Sequence, residues 1–217
     1  MRIIKEIFNL LKGWRDQAVI RLSTLYEELV SLTGGIKGEV FIEITDLNGK
    51  LLDKRHINNI PTKDVRLLVA RLLKDPTEPA HGINMLAVGT GAPGPLLSPN
   101  APDDKERKLF AEIARKPFAS STFRDTNGIA VAYATNIVDF TTTFGPGEAA
   151  GPLNEMGLMS TISSNPSIKN FNPDTFPVYT TTLNIANYDT LINIINFSVI
   201  TKPSQSNMSI TWRLTLI

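Results

Sequence analysis

The segment Ile83-Asn-Met-Leu-Ala-Val-Gly-Thr-Gly-Ala-Pro-Gly94 decides how the rest of this chain is read. Gly89-x-Gly91-x-x-Gly94 after an apolar strand has the spacing of a dinucleotide-binding fingerprint. Such a site needs a helix starting at the glycines, because the helix's free N–H groups hold the pyrophosphate. Here Pro93 and Pro95 flank the third glycine, and the next helix-start signal comes only at Asp103. The sequence also lacks alternating strand–helix–strand units. The stretch therefore reads as a core strand, Ile83 to Val88. It leaves its sheet at Gly89 and opens into a stiff loop, 89–102, with three Gly and four Pro. Gly89 and Gly91 are expected to supply backbone angles that other residues avoid.

The chain on either side is dominated by strand patterns. Residues 38–47 alternate, with Val40, Ile42 and Ile44 on one face and Glu39, Phe41, Glu43 and Thr45 on the other. Asn48-Gly49 follows, a strong hairpin signal, and Lys50 to Ile57 is the return strand. A short helix is expected over 62–74, ending before Asp75-Pro76. A second is expected over 103–115, capped by Asp103 or Asp104, with Leu109, Phe110 and Ile113 inward. Strands are then predicted at 118–124, at 129–144 with a break near Asn136, at 153–159, 179–185 and 191–200, and from Ser209 to the end. Gly/Pro or Asn/Ser-rich loops separate them, at 145–152 and 163–175. About eight strands with such turns define a mainly β protein, an antiparallel β-sandwich or jelly-roll-like body with accessory helices.

The first 35 residues are set apart. Residues 3–33 carry an amphipathic helix pattern with the seam Ile4, Ile7, Leu11, Trp14, Ala18, Leu22, Leu25, Leu29 and Leu32, stopped by Gly34-Gly35. Ile3, Leu10, Val19, Ile20, Tyr26 and Val30 lie off that seam. More than one face is apolar, which suits attachment or oligomerisation as well as packing on a body. The expected organisation is thus a long N-terminal helix, 1–35, and a β body, 36–217.

Composition narrows function. The 217 residues carry 22 basic and 21 acidic side chains, a net charge of +1, so no electrostatic case exists for nucleic acid or an anionic membrane as partner. No cysteine is available for a disulfide, a zinc finger or a thiol nucleophile. The N-terminus lacks a signal-peptide apolar run, and no stretch has the length of a membrane span. His56 and His81 have no partner at metal-ligand spacing and read as packing residues. Glu148 and Glu155 flank the loop 145–152 and could form an acid/base pair. The preferred reading is a solvated Glu148 and a structural Glu155 accepting backbone hydrogen bonds. Lys105 to Lys108, diluted by acids, reads as a solvated helix face. No catalytic residue, cofactor or metal is expected. The residues singled out as structural are Gly89, Gly91 and Gly157.

Several pieces occur in a recognisable order. They are Asp46-Leu-Asn-Gly49, Asn58-Asn59 before a Leu-rich helix, Ile83-x-x-Leu-Ala-Val-Gly-Thr-Gly91 and Phe110-Ala-Glu-Ile-Ala-Arg115. Then come Phe140-Thr-Thr-Thr-Phe144, Asn154-Glu-Met-Gly-Leu158 and Ile210-Thr-Trp-Arg-Leu214. Over residues 38–217 this resembles a group of small tailed-bacteriophage virion proteins associated with tail, tail fibre or baseplate. Capsid cement proteins are neighbours of that group. The resemblance implies a non-enzymatic assembly protein, located in the virion and assembled in the host cytoplasm. Its implied partners are other copies of itself, in a homo-oligomer such as a trimer, and other tail, baseplate or capsid proteins. A glycan-binding tail module is the remaining alternative, and it has few aromatics to draw on: Trp14 falls in the helix and Trp212 in a core strand.

Overall fold

Residues 35–74, 82–170 and 188–216 are described by a computed structural model. The expected N-terminal helix with its seam Ile4, Ile7, Leu11, Trp14, Leu22, Leu25, Leu29 and Leu32 lies outside these residues. So do His81 and the strand expected at 179–185.

The predicted hairpin is present as β1 (Ile36–Asp46) and β2 (Leu51–Pro61). Asn48-Gly49 turns it as expected. Gly49 takes φ 83°, and Asp46 Oδ1 accepts the amides of Asn48 and Lys50. Val40, Ile42 and Ile44 are buried in alternation along β1. Helix α1 (Asp64–Lys74) follows and buries Val65 and Leu68. The remaining strands are β3 (Met85–Gly89), β4 (Glu112–Pro117), β5 (Ser120–Arg124), β6 (Ala130–Val131), β7 (Ile137–Phe144), β8 (Gly151–Ser160), β9 (Thr190–Lys202) and β10 (Ser206–Leu216).

Among the described residues the strands hydrogen-bond in the order β4-β3-β8-β9-β2-β1-β10-β7-β5-β6, every pairing antiparallel. The order bends at one place. β2 meets β9 through only Ile60↔Ile194 and Pro61↔Asn193. Two halves therefore face each other, β9-β8-β3-β4 and β2-β1-β10-β7-β5-β6. Between them lies one core that draws on both, including Leu86, Val88, Met156, Leu158 and Ile195 from the first and Ile42, Ile210, Trp212 and Phe144 from the second. This is the expected mainly β, sandwich-like body. On the far side of the first half a smaller cluster forms from Met85, Ala87, Leu109, Met159, Leu191 and Ile194.

Three expectations need correction. First, residues 103–115 are not a helix. Residues 103–111 run through turns, and 112–117 form β4, paired with β3. The local helix signal is real for one turn: Asp103 Oδ1 accepts the Lys105 amide, and Glu106 Oε1 accepts the Asp103 amide. Beyond it, pairing with β3 overrides helix propensity. Leu109 is buried as expected, but Phe110 and Ile113 are 40% and 43% exposed. Second, the strand expected at 118–124 begins only at Ser120. At Phe118–Ala119 the chain crosses between the halves, and the Ala119 amide already bonds Thr141 O. Phe118 packs on Phe140 there, ring centroids 4.8 Å apart. Third, Arg107 is not on a solvated helix face. It is 4% exposed and lies 3.5 Å from the Asp64 carboxylate.

Candidate functional site

β8 is buried on both faces because β3 and β9 flank it, the main core covers one side and residues 103–111 cover the other. On that second side lie Glu155 and Gly157, opposite Gly89 and Ala87 of β3. A carboxylate sealed at this depth needs hydrogen-bond donors. Glu155, 0% exposed, receives them from the backbone. Its Oε1 accepts the amides of Gly91 (2.8 Å) and Ala111 (2.7 Å), and its Oε2 accepts that of Phe110 (2.9 Å). Asn154 Oδ1 accepts the Ala92 amide at 3.1 Å, and the Thr90 amide bonds Ala111 O at 3.0 Å. Both ends of the excursion between β3 and β4 are thereby fastened to one point on β8.

Gly89 and Gly91 serve this knot and Gly157 the packing of β8 on β9 beside it, but not through backbone angle. The described glycines with positive φ are Gly35, Gly49, Gly82, Gly94, Gly128, Gly147 and Gly151, so the expectation for Gly89 and Gly91 is corrected. Their requirement is space. A Cβ on Gly89 would lie on the Glu155 carboxylate and 2.6 Å from Ala111 O. On Gly91 it would lie 2.5 Å from the Ala111 nitrogen, and on Gly157 2.5 Å from Leu191 Cδ1.

What the knot holds up is the loop tip. Ser98 N bonds Pro95 O (3.0 Å), and Asn100 N bonds Pro93 O (2.7 Å). The tip is also strapped to β9: Val199 N donates to Leu96 O at 2.9 Å, and Asn196 Nδ2 donates to Asn100 O at 3.0 Å. No charged residue occurs from Ala92 to Pro102. Leu96 and Leu97 nevertheless stand 60% and 80% exposed. The loop tip is thus fastened at both ends while two adjacent leucines stand exposed on it.

The other candidates separate from it. Glu148 does not pair with Glu155. It takes Lys116 Nζ at 2.7 Å and the Gly145 amide at 2.7 Å, and those bonds hold its pKa below the ordinary carboxylate value despite some burial. It remains 45% exposed, consistent with the solvated reading. His56 lies on the outer face of β2, stacked on Phe41 (centroids 4.5 Å, 11° between planes) with Nε2 3.3 Å from Glu39. Arg213 covers the Phe41 ring and reaches Asp139, which also takes Arg124. Asp139's hydrogen bonds, opposed in part by burial, raise the Arg213 pKa above the ordinary value. Trp212 is fully buried. Among the described residues no group of three or more His, Asp or Glu is placed to hold a metal ion, and no helix is long and apolar enough to cross a membrane.

Sequence reasoning missed three buried ionic features. Arg115 binds Glu112 through Nε and Nη2, both 2.7 Å, and Asp189 through Nη1. Burial opposes the charge on Arg115, but the two carboxylates outweigh it and its pKa rises. Asp189 also accepts the amides of Ile162 and Asn170, and Lys169 lies 3.0 Å from Glu112. Lys202, 1% exposed, donates to Gly145 O and Ser206 O, with its pKa lowered by burial and only partly restored by Glu148. Glu106 is 2% exposed beside Asp103 and Glu155. No protein-family model matches the chain, and a search of curated proteins returns no match.

Proposed function

We propose that this protein is a non-enzymatic structural component of a tailed-phage virion, joining tail or baseplate components through oligomeric protein contacts. The observation that carries this reading is the rigid, charge-free tip of the Gly/Pro loop, fastened by Glu155 and presenting Leu96 and Leu97 to solvent. A pre-ordered apolar tip loses little entropy on docking, and exposed leucines gain most by burial against another protein. The two carboxylates that could have formed an acid/base pair support it too. Glu155 is saturated by backbone amides, and Glu148 is tied to Lys116 and Gly145. The resemblance of the ordered sequence motifs to tailed-phage virion proteins suggests the particle context.

The test is direct. Mass spectrometry of purified virions should detect the chain, and immunogold labelling should mark the tail tip or a single vertex. Label over the whole head would replace this reading with that of a capsid cement protein. A chain absent from particles would overturn both. Deleting residues 1–33 should abolish incorporation if that segment is the attachment element, and unchanged incorporation would remove that role from it.

A further inference from the structure

We propose that Asn127 is a site of spontaneous deamidation, opened by fraying of the β5–β6 hairpin, and that Asn48, in a turn of the same build, is its protected counterpart. The sequence holds two Asn-Gly pairs, Asn48-Gly49 and Asn127-Gly128. In such a pair no side chain on the glycine hinders ring closure. The glycine nitrogen gives up its proton and bonds to the asparagine Cγ. The bond from Cγ to the side-chain nitrogen breaks, that nitrogen takes up a proton and leaves as ammonia, and a succinimide remains. Water then opens the ring at either carbonyl, to aspartate or to isoaspartate.

Both asparagines are exposed, and both turns restrain the reaction in the same way. The amides that would attack are engaged: Gly49 N donates to Asp46 O at 3.1 Å, and Gly128 N to Asp125 O at 3.0 Å. The Asn48 and Asn127 amides are held, each at 2.9 Å, by Oδ1 of the same two aspartates. Those oxygens also accept the Lys50 and Ile129 amides, each at 2.8 Å. The circle is closed by Asp46 N on Lys50 O and Asp125 N on Ile129 O, both 2.9 Å. Gly49 and Gly128 take nearly the same φ, 83° and 79°. Ring closure turns the Asn–Gly backbone and needs the glycine nitrogen free. Each turn must therefore open before its asparagine reacts.

What differs is the hairpin beneath. β1 and β2 face each other at eight register positions, and Ile42 and Ile44 of β1 are each 1% exposed. β5 and β6 meet at two, Phe123↔Val131 and Arg124↔Ala130. Phe123 and Ile129 beside that turn are 37% and 61% exposed, and after Val131 the next strand begins only at Ile137. Arg124 Nη1 reaches Gly128 O at 3.4 Å, too long a bond to add much. Local opening is easiest where little buried contact must break. The second turn therefore opens more often, although its hydrogen bonds match those of the first. The product favours further opening. A carboxylate at 127 is formed two residues from Asp125, and isoaspartate adds a backbone carbon to the turn.

Full-length protein would be incubated at mildly alkaline pH, folded or in urea, then digested and mapped by mass spectrometry for conversion of each amide to acid. In urea the two asparagines set their intrinsic rates. Relative to those rates, folding should slow both, and Asn127 should convert severalfold faster than Asn48. Asp125→Ala should then speed Asn127 by about tenfold and leave Asn48 unchanged, and Asp46→Ala should do the reverse. The proposal is overturned if Asn48 keeps pace with Asn127, if folding slows neither, or if Asp125→Ala leaves Asn127 unchanged. A variant that unfolds would speed both sites together and lose its circular dichroism. The ranking in wild type then decides, since it needs no substitution.

Discussion

Gly89 and Glu155 stand directly opposite one another on adjacent strands, and the space a Gly89 side chain would occupy holds the Glu155 carboxylate. The pair explains why the chain leaves β3 at a glycine. The acid needs three amides from two separated segments, and it can reach them only if the neighbouring strand has no Cβ.

Gly89→Ala and Gly91→Ala should therefore destabilise the body by about 2–3 kcal/mol each, as overpacking against backbone does. Gly157→Ala meets a side chain, Leu191, that can shift, and should cost less. Gly145→Ala is the control. Its Cβ would meet nothing nearer than 3.6 Å and φ there is not positive, so stability should stay within about 0.5 kcal/mol. Midpoints of urea unfolding decide, and equal losses at Gly89 and Gly145 would refute the packing argument.

Glu155→Gln keeps the shape but turns one acceptor into a donor facing amide hydrogens. The expected loss is about 2–4 kcal/mol, with faster hydrogen exchange at Gly91, Phe110 and Ala111 ahead of the rest of the body. Exchange that accelerates uniformly would show that the knot is not a local fastening.

Glu106 predicts an acid-favoured stability. Burial, aided by the charges of Asp103 and Glu155 and opposed by the Asp103 amide, lifts its pKa from 4.5 to about 7. For a carboxyl raised in the folded state, the penalty is absent below the unfolded pKa. It builds as pH rises from about 4.5 and is complete above about 7, to a total of about 3 kcal/mol. Glu106→Gln should remove this slope, gaining stability over wild type at pH 8 and showing no gain at pH 4.5. Parallel wild-type and variant curves of stability against pH would contradict it.

The ion cluster around Arg115 should be sensitive to loss of one member. Arg115→Leu removes the cation shared by Glu112 and Asp189, whose side chains are both buried, and should cost about 3–5 kcal/mol. Asp189→Asn loses the charge and one acceptor, so its single oxygen keeps only one of the Ile162 and Asn170 amides, but Arg115 retains Glu112 and the change should cost less than Arg115→Leu. Thermal unfolding of the two variants gives the ranking, and the reverse order would overturn this account.

Local pattern made much of the body legible. Alternation in Val40, Ile42 and Ile44, the Asn48-Gly49 turn and the alternating Ile210, Trp212 and Leu214 announce strands through side-chain period alone. The break near Asn136 was legible too, since β6 stops at Val131 and β7 starts at Ile137. Residues 103–115 were misread because Asp103-x-x-Glu106 is a genuine helix start whose continuation is cancelled by pairing with β3. The structural role of Glu155 could be anticipated from its strand setting, but its donors, 44 to 64 positions away, could not.

By itself the sequence determined most of the strands, β4 excepted, where the chain must turn, and that Gly89, Gly91 and Gly157 stand at tight places. Those are properties of neighbours along the chain. Only the tertiary structure decided why the glycines matter, which carboxylates are buried, and which ion pairs form. Each of these depends on strand order, and strand order brings together residues whose separation leaves no periodic trace. Arg115 and Asp189 meet across 74 positions, and Gly89 needs its missing Cβ because of Glu155, which lies in β8, far along the chain past β4 to β7, but next to β3 in the sheet.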